Sequence, residues 1–443
     1  VTRPSVSIIT LGCARNEVDS EELAAELAED GWDLVDDPAG ADTVLVNTCG
    51  FIDAAKRDSI DTVLAASDLP GKVVAVGCLA ERYGEQLAQS LPEADAVLGF
   101  DAYPELPSAL RTLLAGGQLG AHTPRDRRGL QPSAPTDRSA DLAVLPGHVG
   151  MRRRLSDGPV ASVKLASGCD RRCTFCAIPS FRGSFVSRRP TDVVNEVAWL
   201  VGQGVLEVNL VSENSTSYGK DFGDLRLLES LLVDLADTPG LERVRVAYLQ
   251  PAEMRPDLVS IIGATVGVAP YFDLSFQHAS PAVLRRMRRF GGSQDFLRLI
   301  DQIRDVNPAA AIRSNFIVGF PGEAPADIDV LIDFLQRAQL DAIGVFGYSD
   351  EQGTEAATFS DHVDADEIDL RVEALASVAE DVMSARAANR IGESVRVLVE
   401  AGKTQFQGPE DGSTQLLGSA TGPVAVARIV ASEGADLIAE IVS

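Results

Sequence analysis

Val160-Ala161-Ser162-Val163-Lys164-Leu165-Ala166-Ser167-Gly168-Cys169-Asp170-Arg171-Arg172-Cys173-Thr174-Phe175-Cys176 is the stretch on which the reading of the fold turns. The apolar run Val160–Leu165 predicts a strand, and three cysteines follow it at once in a Cys-x3-Cys-x2-Cys spacing. Three thiolates on one tight loop suit an iron–sulfur cluster, whose usual ligands are thiolates. Four irons and three thiolates leave one iron open. An open position is what separates a reactive metal site from a closed structural one. A structural zinc would call for a fourth Cys or His nearby, and neither occurs between Cys176 and His278. S-Adenosylmethionine fits the open position, because its amino and carboxylate groups can chelate iron.

Downstream, apolar runs at Glu207–Val211, Arg243–Tyr248, Tyr271–Ser275, Ile312–Val318 and Ala342–Tyr348 predict further strands. Helical stretches at Asp192–Val201, Leu227–Leu235, Phe296–Val306 and Ile328–Ala338 separate them. With Val160–Leu165 these make six β–α units, an open partial (β/α)6 TIM-like barrel over residues 155–388. Chemistry in such barrels sits at the C-terminal strand ends. Upstream, Val6–Leu11, Thr43–Val46 and Val73–Val76 alternate with helical Val18–Asp30, Phe51–Leu64 and Glu81–Leu91. That alternation predicts an α/β domain over 1–118 with a doubly wound parallel sheet. Residues 119–154, rich in Gly, Pro and Arg, read as a linker. Short β runs at Val395–Val399, Val424–Val430 and Leu437–Val442 predict a small β-barrel over 389–443.

The chain has six cysteines, and the remaining three lie in Leu11-Gly12-Cys13, Asn47-Thr48-Cys49-Gly50 and Val76-Gly77-Cys78. Each falls just beyond the C-terminal end of a predicted parallel strand, where open α/β sheets bind ligands. A glycine beside each would allow close backbone approach. The count is again three, so a second cluster with an open iron is expected. Disulfides are not, because a large chain with no secretory signal pattern in Val1–Leu11 points to reduced thiols and the cytoplasm. No run reaches membrane-spanning length. With 443 residues and a net charge of −26 the chain is a poor match for nucleic acid and a better one for a basic partner.

These residues resemble the methylthiotransferase family of radical S-adenosylmethionine enzymes along essentially the whole chain. The resemblance implies an auxiliary 4Fe–4S cluster on Cys13, Cys49 and Cys78, and a radical 4Fe–4S cluster on Cys169, Cys173 and Cys176. It also implies a C-terminal TRAM domain that engages substrate. One branch of the family modifies transfer-RNA adenosine. The other modifies an aspartate of small-subunit ribosomal protein twelve. Leu11–Asn16, Asn47–Ile52, Ile178–Gly183 and Gly347–Thr354 look like the ribosomal-protein branch. From Ile391 to Ser443 there are seven acids against three bases, a net of −4, where an RNA-binding barrel would be basic. The implied reaction is methylthiolation of the aspartate β-carbon, with S-adenosylmethionine as both methyl donor and radical source. An electron donor of flavodoxin or ferredoxin type and a sulfur donor would be needed, and no direct RNA readout is expected. The competing readings are transfer-RNA methylthiolation and a non-catalytic electron carrier. Carriers typically close every iron with four cysteines, so trios argue against the last.

Further contacts to S-adenosylmethionine are expected from four residues. Glu213, in Ser212-Glu213-Asn214, follows a strand where related enzymes bind the methionine part. Gln277, before His278, also follows a strand. Gly319 lies in Ile317–Glu323, which resembles the segment near ribose and adenine. Phe175, inside the cysteine loop, is placed to pack near adenine. Arg285, Arg286, Arg288 and Arg289 are expected to meet the dipole at a helix end, and Arg182 to hold a carboxylate through its planar fork.

Overall fold

The structure, a computed structural model, describes residues 3–129, 152–399, 405–407, 413–417 and 422–442. Most of the expected linker (130–151) lies outside them, as do Glu400, Lys403, Glu410 and Asp411 of the C-terminal charge count. The chain divides into two compact units. The first comprises 1–157 together with 166–171 and 177–186; the second comprises 158–165, 172–176 and 187–443.

The first unit is a five-stranded parallel sheet: β1 (Ser5–Thr10), β2 (Asp33–Leu34), β3 (Thr43–Thr48), β4 (Lys72–Gly77) and β5 (Ala96–Val97), in the order β2-β1-β3-β4-β5. Its helices are α1 (Ala14–Glu29), α2 (Asp53–Ser67), α3 (Cys78–Ser90), α4 (Leu106–Leu114) and the short α5 (Ile178–Arg182). β3 and β4 are apolar runs buried on both faces, as a strand covered by helices on each side must be. Core clusters form on the two sheet faces, one around Leu23, Leu27, Leu45 and Val76, the other around Val44, Val46, Val63 and Ala75. The two-residue β2 and β5 are absent from the sequence reading because strands that short carry no period; α4 is absent too, although Leu106, Leu110 and Leu113 stand at helical spacing. Residues 119–129 pack onto this unit: His122 N–H donates to Val97 O, and Arg127 bonds Glu81 at 2.6 Å and Asp101 at 2.8 Å. Burial would raise the Glu81 carboxyl, but His122 and Arg127 more than offset it and hold it below the usual range.

In the second unit six parallel strands run in sequence: β6 (Val160–Lys164), then, past the short β7 (Ala166–Ser167) and β8 (Val186–Ser187), β9 (Glu207–Val211), β10 (Arg243–Val246), β11 (Tyr271–Asp273), β12 (Ala311–Val318) and β13 (Ala342–Gly347). Two three-stranded sheets, β6-β9-β10 and β11-β12-β13, are joined by the parallel bridges Val244↔Val268 and Leu249↔Leu274. Outside lie α6 (Pro190–Gly202), α7 (Leu227–Ala236), α8 (Pro256–Ala264), α9 (Pro281–Arg286), α10 (Ser293–Val306), α11 (Pro325–Ala338) and α12 (Ala365–Asn389). α10 shows why: Phe296, Leu299, Ile300 and Ile303 form one buried stripe. The strands carry a polar face, where Glu207 pairs with Arg245 at 2.8 Å and Arg245 stacks on Tyr271 at 4.5 Å. The C-terminal part is a five-stranded mixed sheet of β14 (Ser394–Leu398), β15 (Gln405–Gln407), β16 (Ser413–Leu417), β17 (Val424–Glu433) and β18 (Asp436–Ile441), in the order β14-β17-β18-β16-β15.

Candidate functional site

In the first unit the order β2-β1-β3 reverses direction between β1 and β3, and the crevice at such a switch point opens beyond the C-terminal strand ends. Cys13, Cys49 and Cys78 stand there, after the ends of the adjacent strands β1, β3 and β4. The register fixes this, with Thr10 opposite Asn47 and Thr48 opposite Gly77. Side chains brace the ends. Asn16 Nδ2 donates to Leu11 O at 2.9 Å and Thr48 O at 3.2 Å, Asn47 Nδ2 to Asn16 O at 2.9 Å, and Thr48 Oγ1 to Val76 O at 2.5 Å. Cys13 is the N-cap residue of α1 and Cys78 the first residue of α3, so both stand at the positive dipole end of a helix. Gly12, at φ 89°, passes so close to Cys49 that a Cβ there would lie 2.8 Å from its sulfur. Gly77, also at φ 89°, would put a Cβ 2.2 Å from Asn47 Oδ1.

Burial pushes the Cys49 thiol up to about 11, with Cys78 and Cys13 adding to the rise, and burial likewise raises Cys78. A cationic iron cluster would neutralise thiolates brought this close, with the thiol protons released as it binds. Among the described residues no group of three or more His, Cys, Asp or Glu is spaced to clamp a single ion. A four-iron cube gives each thiolate its own iron. The expectation that Arg182 holds a carboxylate is met by Asp19 at 3.3 Å, but the closer partner of the same nitrogen is Cys78 Sγ at 3.0 Å. Burial would lower the Arg182 pKa, yet Cys78, Asp19 and Cys13 more than offset it, so the cation is held. Neighbouring Arg15 falls to about 10 through burial and then the repulsion of Arg182. Asp19 and Arg15 are buried functional candidates that the sequence reading missed; their polar character inside α1, at core-facing positions, is the signal that could have found them.

The loop of the second trio is tied down at each end within its own unit. Cys169 N–H donates to Gly183 O at 3.1 Å, and Arg171 N–H reaches Cys169 Sγ at 3.4 Å. In the second unit Thr174 N–H donates to Met287 O, and Thr174 O accepts from Ala356 N–H. Phe175 meets Phe320 edge-on, with ring centroids 6.5 Å apart, and packs with Val283, Met287 and Ala356. That brings Phe175 to the Gly319–Glu323 turn. Glu323 closes this turn by accepting Gly319 N–H at 2.8 Å, and also takes Arg371 at 2.7 Å. His278 is fully buried; its Nδ1 accepts Ser280 N–H at 2.9 Å, which puts the ring proton on Nε2, 3.3 Å from Glu323 Oε2. The Gln277-His278 and Gly319 segments therefore form one constellation. Gln277 itself has φ 72°, held by backbone bonds to Asn315 O and from Ile317 N–H. A non-glycine residue in that region is strained, and such strain clusters at functional sites.

Glu213 belongs to different surroundings. Its neighbour Asn214, with Thr216 and Ser217, donates to Glu253 Oε2 at 2.9–3.1 Å. Glu253 was not singled out in the sequence; it follows β10 at the C-terminal barrel end, which was the available signal. Arg285 and Arg286 lie in the last turn of α9, as expected, whereas Arg288 and Arg289 lie beyond it. α9 stops at Arg286, which bonds Pro321 O and Asp361, while Arg288 pairs with Glu355 and Arg289 lies 3.6 Å from Cys173 Sγ. The left-handed turn at Arg288, φ 54°, is what parts them.

Residues 5–99 match the family described as Uncharacterized protein family UPF0004, and residues 163–335 match the Radical SAM superfamily. The ribosomal protein uS12 methylthiotransferase RimO of a Nocardioides species is 59% identical over 98% of this chain and 96% of its own. The protein of the same description from Streptomyces coelicolor is 57% identical over 98% and 96%. Among solved structures, the radical S-adenosylmethionine methyltransferase TsrM of Kitasatospora setae aligns over 78% of this chain and 73% of that one. Its TM-score is 0.54 at 17% identity, a likeness of fold. With near-complete coverage at such identity, the chain belongs to the ribosomal protein uS12 methylthiotransferase family of radical S-adenosylmethionine enzymes.

Proposed function

We propose that this enzyme methylthiolates the β-carbon of an aspartate in ribosomal protein uS12, using S-adenosylmethionine as methyl donor and as radical source. The observation that carries the reading is the pair of cysteine trios, each beyond C-terminal strand ends, in a chain 59% identical to a uS12 methylthiotransferase. Two 4Fe–4S clusters are part of the proposal, one on Cys13, Cys49 and Cys78, the other on Cys169, Cys173 and Cys176. So is a division into an N-terminal cluster domain, a central radical domain and a C-terminal substrate-engaging domain. When bound, the clusters supply the one-electron and sulfur chemistry that an unactivated C–H bond demands and acid–base groups cannot provide.

The residues of this chain bind and orient. Phe175 and Phe320 give an apolar edge for the adenine. Glu323 fixes the Gly319 turn, and His278 holds Glu323 while keeping its own proton on Nε2. Gln277 has its backbone locked at a strained φ before cofactor arrives. Asn214, Thr216 and Ser217 orient Glu253, and Glu213 stands beside them for the methionine part. A flavodoxin or ferredoxin type electron donor, a sulfur donor and a cytoplasmic location complete the proposal. No helix among the described residues is long and apolar enough to cross a membrane.

The test is mass spectrometry of uS12 from cells with and without the gene. A methylthio increment on one aspartate, lost on deletion, is expected. An unmodified aspartate in both strains would overturn the assignment, and a methylthiolated transfer-RNA adenosine lost on deletion would replace it.

A further inference from the structure

Arg182 ends α5, six residues beyond Cys176 in the chain, yet its guanidinium serves the other trio. Nη2 lies 3.0 Å from Cys78 Sγ and 3.3 Å from both Asn16 Oδ1 and Asp19 Oδ2. The Phe100 ring lies against the guanidinium, 4.8 Å from centroid to Cζ. Arg182 is 3% exposed, and the Asp19 and Arg182 side chains pair away from water. Asn16, which shares the guanidinium, also braces the ends of β1 and β3. The cation is thus held in place by groups that themselves shape the cysteine site.

A donor fixed on a ligand sulfur acts on the metal through that sulfur. It withdraws electron density from the thiolate and stabilises the extra negative charge of a reduced cluster, and hydrogen bonds to sulfur are among the levers that set cluster potentials. Burial strengthens the effect, because solvent does not screen it. We infer that Arg182 is a positioning residue that tunes the N-terminal cluster, raising its reduction potential through a charge-assisted hydrogen bond to Cys78. The inference rests on the two-cluster reading.

The experiment uses the full chain with Cys169, Cys173 and Cys176 replaced by alanine, so that only the N-terminal cluster can form. This parent, and the same chain with Arg182→Met or Arg182→Lys, would be loaded with iron and sulfide and followed by electron paramagnetic resonance during redox potentiometry. The Met variant is expected to reduce at a more negative potential than the parent. The Lys variant, a cation without the planar fork, should fall between. A parent potential in both variants overturns the inference and leaves the two-cluster reading standing. If the Met variant does not fold, the Lys variant alone decides by the same criterion. A parent that binds no four-iron cluster overturns the two-cluster reading, and this inference with it.

Discussion

Glu26, in the last turn of α1, has its carboxyl lifted to about 7, by burial first and then by Asp30 and Glu29. The unfolded chain ionises this group near the ordinary glutamate value, so between about 4.5 and 7 the folded state binds the extra proton. A raised acid contributes stability that is fully present below the unfolded pKa and lost as pH rises through the folded one. Glu26→Gln removes that loss. Its stability, followed by thermal melting, should exceed the parent's at pH 8 by on the order of 1 kcal/mol after allowing for solvent screening, and match it at pH 4. Equal melting at pH 8 would mean Glu26 relaxes into water. The crowding of Glu26, Glu29 and Asp30 is readable in sequence; the burial that dominates the shift is not. The same holds for Arg182, whose planar fork suggested a carboxylate while only packing placed Cys78 nearer.

Helix starts carry the lesson at the level of elements. The apolar period predicts α10 from Phe296 and α11 from Ile328, but they begin at Ser293 and Pro325. Proline suits the first helical turn because its missing N–H has no intrahelical partner to lose there, and it contributes nothing to a period. In α11 the third helical residue, Asp327, accepts Ala324 N–H at 2.9 Å and Ser280 Oγ at 2.5 Å. Asp327→Ala should therefore lower stability by about 1–2 kcal/mol, read as a reduced urea midpoint with an unchanged slope. An unchanged midpoint would show that water replaces the carboxylate at both donors. Strand lengths erred the other way. The run Arg243–Tyr248 predicted a strand to its end, but β10 stops at Val246, and Tyr248 turns to φ 61°.

For the molecule as a whole, the two trios make a prediction about composition. Replacing Cys13, Cys49 and Cys78 together with alanine should remove about half of the iron of a fully loaded chain. Replacing Cys169, Cys173 and Cys176 should remove the other half. Iron and acid-labile sulfide assays on both variants test this, and a loss of nearly all iron from either would point to one shared centre.

The sequence by itself determined what depends on near neighbours. The alternation of apolar runs and helical stripes set the parallel α/β sheet and the partial barrel, because burial on one face imposes its period locally. The Cys-x3-Cys-x2-Cys loop was legible because its residues are close in the chain, and the dispersed trio because each cysteine adjoins a predicted strand end. Tertiary structure decided the rest. The order β2-β1-β3-β4-β5 makes three distant strand ends neighbours, and packing then places Arg182 on a sulfur 104 residues away. It also joins His278 to Glu323 and gathers three donors on Glu253. Such contacts leave no period in the sequence, because they arise only when separate elements are packed together and their buried polar groups must find one another.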